Sequence, residues 1–225
     1  MSAPVPAVRS LREPKPPRVP AALAAAGEAD GEFVHDGVYL SLAYEGAQVS
    51  GTDVEDAEFE RCRFVRAGFT GVGLVRPGFT DVEFTGCDLA NLRLDHARLS
   101  TTAVTNSRMT GLRMTESGLR DTLFDGCRAD LASFRFCHFR DVVFRDCNLA
   151  EANFQNAELT DVRFENCKLA ATRFSGATMN RVRFSGCDLS GVAGVGSFKG
   201  AIVSAADATT LLHALTSALG ITIED

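Results

Sequence analysis

The chain has 225 residues, which is long enough for one domain with a sizeable core. Its 29 acidic and 23 basic residues give a formal net charge of −6, which does not favour direct binding to nucleic acid or to an anionic membrane. No apolar run approaches the roughly 20 residues that a membrane span requires, and the first residues lack the apolar stretch of a secretory signal. We therefore expect a cytoplasmic protein with reduced thiols.

The N-terminal segment is rich in proline and in basic residues. Six of the seven prolines lie within residues 1–20, together with Arg9, Arg12, Lys15 and Arg18. This composition predicts a disordered basic arm over residues 1–32, either solvated or used to dock a partner. The next stretch, residues 33–45, is expected to form a cap or a first irregular coil at the N-terminal end of the domain.

From Gly46 to Ser190 the sequence repeats every five residues. The 29 consecutive pentads contain no insertion, and the fourth residue of each is Phe, Leu, Met or Val, except at Ala129. The second residue is mostly Ala, Cys, Val, Thr or Ser. Neither a helix nor an ordinary strand sustains a period of five, so the pattern indicates a repeat architecture.

A second period of twenty residues is superimposed on the first. One fourth-position column is Phe at every twentieth residue except one, where Val104 stands instead: Phe64, Phe84, Phe124, Phe144, Phe164 and Phe184. Four pentads therefore make one turn of a coil, with the second and fourth side chains inward and the others at the surface and corners. The sequence predicts an all-β solenoid with about seven coils between residues 46 and 190, each rising ~4.8 Å. The coil 101–120, with Val and Met in place of Phe, is expected to be softer or narrower.

Several pentads carry a family resemblance: CNLAE (147–151), ANFQN (152–156), AELTD (157–161) and CKLAA (167–171). They resemble the units of pentapeptide-repeat proteins, and the resemblance covers about two thirds of the chain. It implies a right-handed quadrilateral β-helix and a generally non-enzymatic protein. It also implies a class of partner, because some members of this family bind type II topoisomerases as DNA mimics and protect DNA gyrase from quinolones.

Residues 191–225 are predicted to form a C-terminal cap. Ser204 and Asp207 have the spacing of a capping box with Asp in place of Glu, and Gly220 follows as a stop signal, so a helix is expected at about 205–219. Its apolar stripe comprises Leu211, Leu212, Leu215, Ala218 and Leu219. The helix is expected to cover the open end of the coil, and the resemblance implies a homodimer formed through it.

The seven cysteines are predicted to be core residues. All occupy second positions of pentads: Cys62, Cys87, Cys127, Cys137, Cys147, Cys167 and Cys187. Side chains stacked ~4.8 Å apart are too distant for a disulfide, and a single column cannot surround a metal ion. We therefore expect no metal, no cofactor and no catalytic residues. An enzyme or a thiol redox sensor is the disfavoured alternative.

Two sets of surface residues are candidates for partner binding. An apolar set consists of outward positions Leu123 and Val143 and corner positions Leu131 and Phe136, which are either a partner site or isolated and tucked under a tail. An acidic cluster lies near one end of the repeat: Asp53, Glu55, Asp56, Glu58 and Glu60. A separate column of corner residues, explained by turn chemistry, includes Asp81, Asp121, Asp141 and Asp161.

These observations favour a non-catalytic protein-interaction module whose partner is unknown. The alternative implied by the resemblance is a DNA-mimicking binder of DNA gyrase that gives quinolone-type drug tolerance. Residues 46–190 contain 20 acidic and 18 basic residues, a net charge of −2, which is far below the charge density of a DNA duplex. This balance weighs against the mimic, although acid clustered on one face would still create one.

Overall fold

The computed structural model describes residues 11–27, 32–49, 53–69 and 71–222. Within these ranges the strands are β1 Ala24–Ala25, β2 Val38–Leu40, β3 Leu42–Glu45, β4 Val54–Glu55, β5 Glu58–Glu60, β6 Arg63–Val65, β7 Gly73–Val75, β8 Gly78–Thr85, β9 Arg93–Asp95, β10 Arg98–Thr105, β11 Arg113–Thr115, β12 Gly118–Asp125, β13 His138–Arg145, β14 Glu158–Glu165, β15 Thr178–Asn180, β16 Arg183–Ser185 and β17 Ile202–Val203. A short 3-10 helix spans Val195–Phe198, and the α-helix α1 spans Ala205–Ala218.

Every pairing among the described strands is parallel, and from β2 to β16 each residue pairs with the one twenty positions later. Phe124 pairs with Phe144, for example, and Phe144 with Phe164. Thirteen of the strands in the described ranges form one sheet, and the other four form a second sheet in the order β11-β9-β7-β4. Parallel neighbours one period apart mean that the chain winds as a solenoid, as the twenty-residue period predicts.

The solenoid has about nine turns, two more than the pentads predict. Residues 36–45 contribute two further regular pentads, because β2 pairs with β5 and β3 pairs with β6 in the common register. Tyr39 stacks on Phe59 at 4.9 Å between ring centroids, and Tyr44 stacks on Phe64 at 4.4 Å. The sequence predicts a cap or an irregular first coil here, because Tyr stands at the fourth positions of these pentads instead of Phe, Leu, Met or Val. Phe33 packs over this end, 4.8 Å from the Phe59 ring.

The corners of the solenoid have a left-handed backbone. The first residue of the pentads has φ between 48° and 60° at the non-glycine corners from Asp36 to Arg181. Asp, Asn and Gly tolerate this conformation best, which explains their frequency there. Leu131, with φ 60°, and Phe136, with φ 58°, adopt it despite their bulk.

The core is a set of stacked side chains with one loosely packed segment. Phe64 and Phe84 stack at 4.8 Å and Phe124 and Phe144 at 4.7 Å, but Val104 interrupts the column between Phe84 and Phe124. A cavity of about 20 Å³ lies there, lined by Val104, Met109, Met114 and surrounding Phe and Leu side chains. The missing rings thus leave unfilled space in the coil 101–120.

Candidate interaction surfaces

Residues 11–27 lie along the rod, in contrast to the disordered arm that the composition predicts over residues 1–32. The chain is extended, and β1 near its end pairs with β3. Half-buried side chains recur at every third position: Leu11, Pro14, Pro17, Pro20, Leu23 and Ala26. Three residues per turn is the period of a polyproline II helix, so one face of the arm rests on the solenoid. Residues 1–10 and 28–31 of the predicted arm lie outside the described residues.

The other face of the arm binds the corner column of aspartates. Arg12 bridges Asp121 and Asp141 through Nη1 and Nη2, at 2.8 and 2.7 Å. The backbone N–H of Lys15 donates to Asp121 at 3.2 Å, and the backbone N–H of Arg18 donates to Asp81 at 3.0 Å. These contacts join residues more than 60 positions apart in the chain, so the column is a binding surface as well as a row of turns.

Glu13 forms ion pairs in which the arm supplies the negative charge. Its carboxylate lies 2.6 Å from Arg163 and 3.3 Å from Arg145. Its hydrogen bond to Arg163 lowers the pKa of Glu13. Asp121 is almost wholly covered, with 3% of its side chain exposed. Burial acts to raise the pKa of Asp121, but the hydrogen bonds from Arg12 and the Lys15 backbone outweigh it, and the pKa lies below its ordinary value.

The apolar candidates have different environments. Val143 is 1% exposed, and Asp141 and Arg145, two residues before and after it in β13, bind Arg12 and Glu13 of the arm. It therefore does not belong to an exposed partner site. Leu123 is half-buried.

The two corner candidates are exposed. Leu131 is 56% exposed and Phe136 is 39% exposed. They begin successive pentads of one coil and so flank the same short face of the rod. The Arg135 guanidinium lies over the Phe136 ring, 5.3 Å from its centroid, which places a positive charge beside the apolar surface.

Each member of the acidic cluster is paired with an arginine, in four of the five cases one from another coil. Arg76 contacts Glu55 and Asp56, both at 2.6 Å, and Arg98 contacts Glu58 at 2.5 Å. Remaining members are also paired, Asp53 with Arg93 and Glu60 with Arg61. The hydrogen bond from Arg76 lowers the pKa of Asp56. Four of the five acids are therefore in cross-coil ion pairs and Glu60 pairs with its sequence neighbour, so the cluster is not a strongly negative patch.

Helix α1 caps the C-terminal end with a single buried leucine. Ser204 accepts a hydrogen bond from the Asp207 backbone N–H at 3.1 Å, as its predicted N-cap role requires, and Gly220 has φ 69° just beyond the helix. Leu211 is buried, and the Leu189 N–H at the open edge donates to the Thr210 hydroxyl at 3.2 Å.

The other three leucines of the predicted stripe point away from the core. Leu212 is 49% exposed, Leu215 42% and Leu219 73%. An open cleft of about 490 Å³ separates the C-terminal half of the helix from the last coil, around Gly191, Val195, His213 and Ser217. The helix thus docks through one side and leaves a leucine face uncovered.

The cysteines are buried and unpaired, as their positions in the pentads predict. Their thiols donate to carbonyl oxygens, as Cys147 does to that of Phe124 at 3.5 Å. Burial raises the pKa of Cys62 and Cys87, and it raises the pKa of Cys137 to about 12. Cys187, at the last rung of the column, differs because its hydrogen bond with Cys167 lowers its pKa.

No group of three or more metal-ligating side chains occurs in the part of the chain that the structure describes. Over the same residues, no helix combines the length and the apolar character needed to cross a bilayer.

Corners recur every five residues, the second and fourth side chains point inward, and strands pair with residues twenty positions apart. These features define a parallel β-solenoid built from pentapeptide units. The family described as pentapeptide repeat region matches residues 78–154 and 127–193, together more than half of the chain. The chain therefore belongs to the pentapeptide repeat family, whose repeats form right-handed quadrilateral β-helices.

Solved structures of this kind are similar to the chain at low identity. Full-length QnrB1, a plasmid-mediated fluoroquinolone resistance protein, is 20% identical over 80% of this chain and 99% of its own, with a TM-score of 0.36. HetL of the cyanobacterium Nostoc sp. strain PCC 7120, involved in heterocyst differentiation regulation, is 16% identical over 75% of this chain and 87% of its own, with a TM-score of 0.33. No curated protein matches the chain in sequence.

Proposed function

We propose that the protein is a non-catalytic interaction module that binds a protein partner through Leu131 and Phe136. The observation that carries this proposal is the exposure of two bulky apolar side chains at left-handed corners of one coil. A non-glycine residue in this conformation costs roughly 1–2 kcal/mol, and Asn or Gly would relieve much of it. Since neither side chain is buried in the core, fold stability does not account for the choice of Leu and Phe.

The surroundings of the pair indicate the kind of partner. Arg135 covers one face of the Phe136 ring, and aromatic and arginine side chains are enriched among the residues that dominate protein–protein binding. A complementary partner would offer an apolar pocket with acidic groups at its rim. Such a partner differs from nucleic acid, which would require a larger basic surface.

Affinity capture with three baits tests this proposal. The wild-type chain, the double variant Leu131→Asn/Phe136→Asn and the control Glu151→Asn are each exposed to lysate of the native cell. Glu151 stands one coil beyond Leu131 in the same corner column and has φ 58°. We expect a protein retained by wild type and by the control to be depleted at least tenfold by the double variant. Identical retention on all three baits would contradict the assignment of the site.

We further propose that the leucine face of α1 forms a homodimer. Leu212, Leu215 and Leu219 lie at helical spacings of three and four residues and share one exposed face. Burying them against a second copy would remove apolar surface from water, which favours association.

The gyrase-binding mimic has less support, because arginines pair with all five members of the acidic cluster. Gyrase supercoiling measured with and without micromolar protein distinguishes the two functions. Inhibition that survives Leu131→Asn/Phe136→Asn would favour the mimic over the corner site.

A further inference from the structure

The arm has a three-residue sequence repeat that matches its contacts. Residues 12–20 read REP, KPP and RVP, three successive triplets of basic residue, any residue and proline. The third residue of each triplet, Pro14, Pro17 and Pro20, is half-buried against the rod. The first residue of each triplet faces the aspartate column, through the Arg12 side chain and through the backbone N–H groups of Lys15 and Arg18.

The spacing of two carboxylates on the rod matches the step between the second and third triplets. Lys15 and Arg18 donate to Asp121 and Asp81, which are two coils apart. Three residues of a polyproline II helix advance about 9.3 Å, and two coils of the solenoid advance about 9.6 Å. The corner between Asp81 and Asp121 in the same column is Thr101, which carries no carboxylate.

The groove is built into the solenoid, whereas the arm is attached only loosely. Asp121 and Asp141 are corner residues inside the long strands β12 and β13, so pairing between the coils fixes their positions. The arm residues Arg12 and Lys15 are 45% and 58% exposed, and residues 11–20 make no regular secondary structure. Ion pairs of exposed arginines and lysines are individually weak, so the tether supplies much of the occupancy as effective concentration.

We propose that this face of the rod is a recognition groove for segments of tandem basic-x-Pro triplets. Residues 12–20 occupy the groove as a displaceable ligand from the same chain. A partner protein with such a segment binds there when the arm lifts away. This site lies apart from the Leu131 and Phe136 site and does not depend on it.

A labelled peptide tests the groove in trans. The probe is the ten-residue peptide LREPKPPRVP with a fluorescein at its N-terminus, titrated with full-length protein and followed by fluorescence polarisation. The variant Arg12→Ala/Glu13→Ala removes the side chains that fix the arm to Asp121, Asp141, Arg145 and Arg163 but leaves the groove intact. We expect it to bind the peptide at least tenfold more tightly than wild type does, because its own arm competes less.

Two controls establish specificity. Adding Asp121→Asn to the arm variant should weaken peptide binding at least tenfold, whereas adding Asp146→Asn, a corner carboxylate in another column with φ 51°, should not change it. A peptide of the same composition with the triplets scrambled should bind at least tenfold more weakly. If thermal melting shows that Asp121→Asn prevents folding, Asp81→Asn replaces it.

The proposal is overturned if the arm variant binds the peptide no better than wild type, or if scrambled and native peptides bind equally. Either result would leave the arm as a purely structural strap. The arm of a second copy of the chain is one candidate natural ligand of the groove. Sedimentation of wild-type protein with and without unlabelled peptide tests this source by measuring the mass of the particle. Dimers that the peptide dissociates would support the groove with the arm of a second copy as its occupant.

Discussion

The ring of Phe144 lies 5.1 Å from the ring of Phe164 and is tilted from it by only 4°. Phe124 stacks on the other face of Phe144 at 4.7 Å, so this ring is enclosed by neighbours one coil above and one coil below. Each coil therefore stabilises the next through side chains twenty residues apart.

Replacing Phe144 with alanine should lower the free energy of unfolding by about 3–5 kcal/mol, because it leaves a hole between two stacked rings. Urea denaturation followed by circular dichroism measures the change. The control Phe136→Ala removes a ring from the surface and should change stability by less than about 0.5 kcal/mol. Similar losses for the two variants would contradict the stacked-core interpretation.

Val104→Leu should raise stability by about 0.5–1 kcal/mol, because the added methylene enters the cavity of about 20 Å³ beside it. Val182, which is fully buried, provides the matched control, and Val182→Leu should destabilise the protein by about 1–3 kcal/mol through overpacking. Thermal melting of the two variants gives the comparison. A lower melting temperature for Val104→Leu would show that the coil 101–120 has no usable space.

The thiols should react slowly with an aromatic disulfide reagent while the protein is folded. Burial keeps them protonated, as shown by the pKa of Cys137 raised to about 12, and only the thiolate reacts. Cys187, whose pKa is lowered and which is 4% exposed, should react first. Titration at pH 8 before and after adding urea measures this, and several fast thiols in the folded protein would revive the redox-sensor alternative.

Acid should release the N-terminal arm from the rod. The pKa values of Glu13 and Asp121 are lowered by arm contacts, so docking is stabilised above their ordinary values of about 4 and weakens as pH falls through the lowered ones. The amide resonances of Lys15 and Arg18, followed by NMR from pH 7 to pH 2, report the release. Resonances that stay unshifted down to pH 2 would show that the carboxylates do not hold the arm.

Leu215→Glu/Leu219→Glu should convert a dimer into a monomer, because it places charges on the exposed leucine face of α1. Sedimentation equilibrium at several concentrations measures the mass. The control Ala206→Glu/His213→Glu adds two carboxylates to exposed positions away from that face and should not alter the mass. A wild-type chain that is monomeric at all concentrations would remove the basis of the dimer proposal.

Contacts between stacked core side chains could be predicted from the sequence, because each joins residues twenty positions apart. The second and fourth positions of the pentads are buried, so their small and apolar residues recur with a fixed spacing. The inward position of Cys147 and the Phe144–Phe164 stack follow from that spacing alone.

The energetic effect of a substitution is harder to predict from the sequence. From sequence, Cys147→Ser is expected to cost about one or two kcal/mol and Cys147→Ala to be nearly silent. The structure shows Ser107 in the same column donating to the Thr105 carbonyl at 2.9 Å, so a serine at position 147 should be nearly neutral.

The exposure and pairing of the candidate surface residues depend on contacts that do not repeat along the sequence. Val143 has the pattern of an exposed apolar residue, but it is buried in a strand whose Asp141 binds Arg12, 129 residues away in the chain. The triplets of residues 12–20 were the available signal, and it was concealed because proline-rich basic segments are commonly unstructured. Likewise, the charges of Asp53 and Arg93 are visible in the sequence, but their pairing is visible only in the wound coil.

The sequence by itself determined a rod of twenty-residue coils with its phenylalanines and thiols inside, because burial is a local demand that each pentad repeats. Only the tertiary structure decided which outward-facing side chains are exposed and which are engaged by the arm or by other coils. Ion pairs between coils, and the contacts of the arm with several coils, form between groups brought together by winding. Their energies depend on distances that composition does not record.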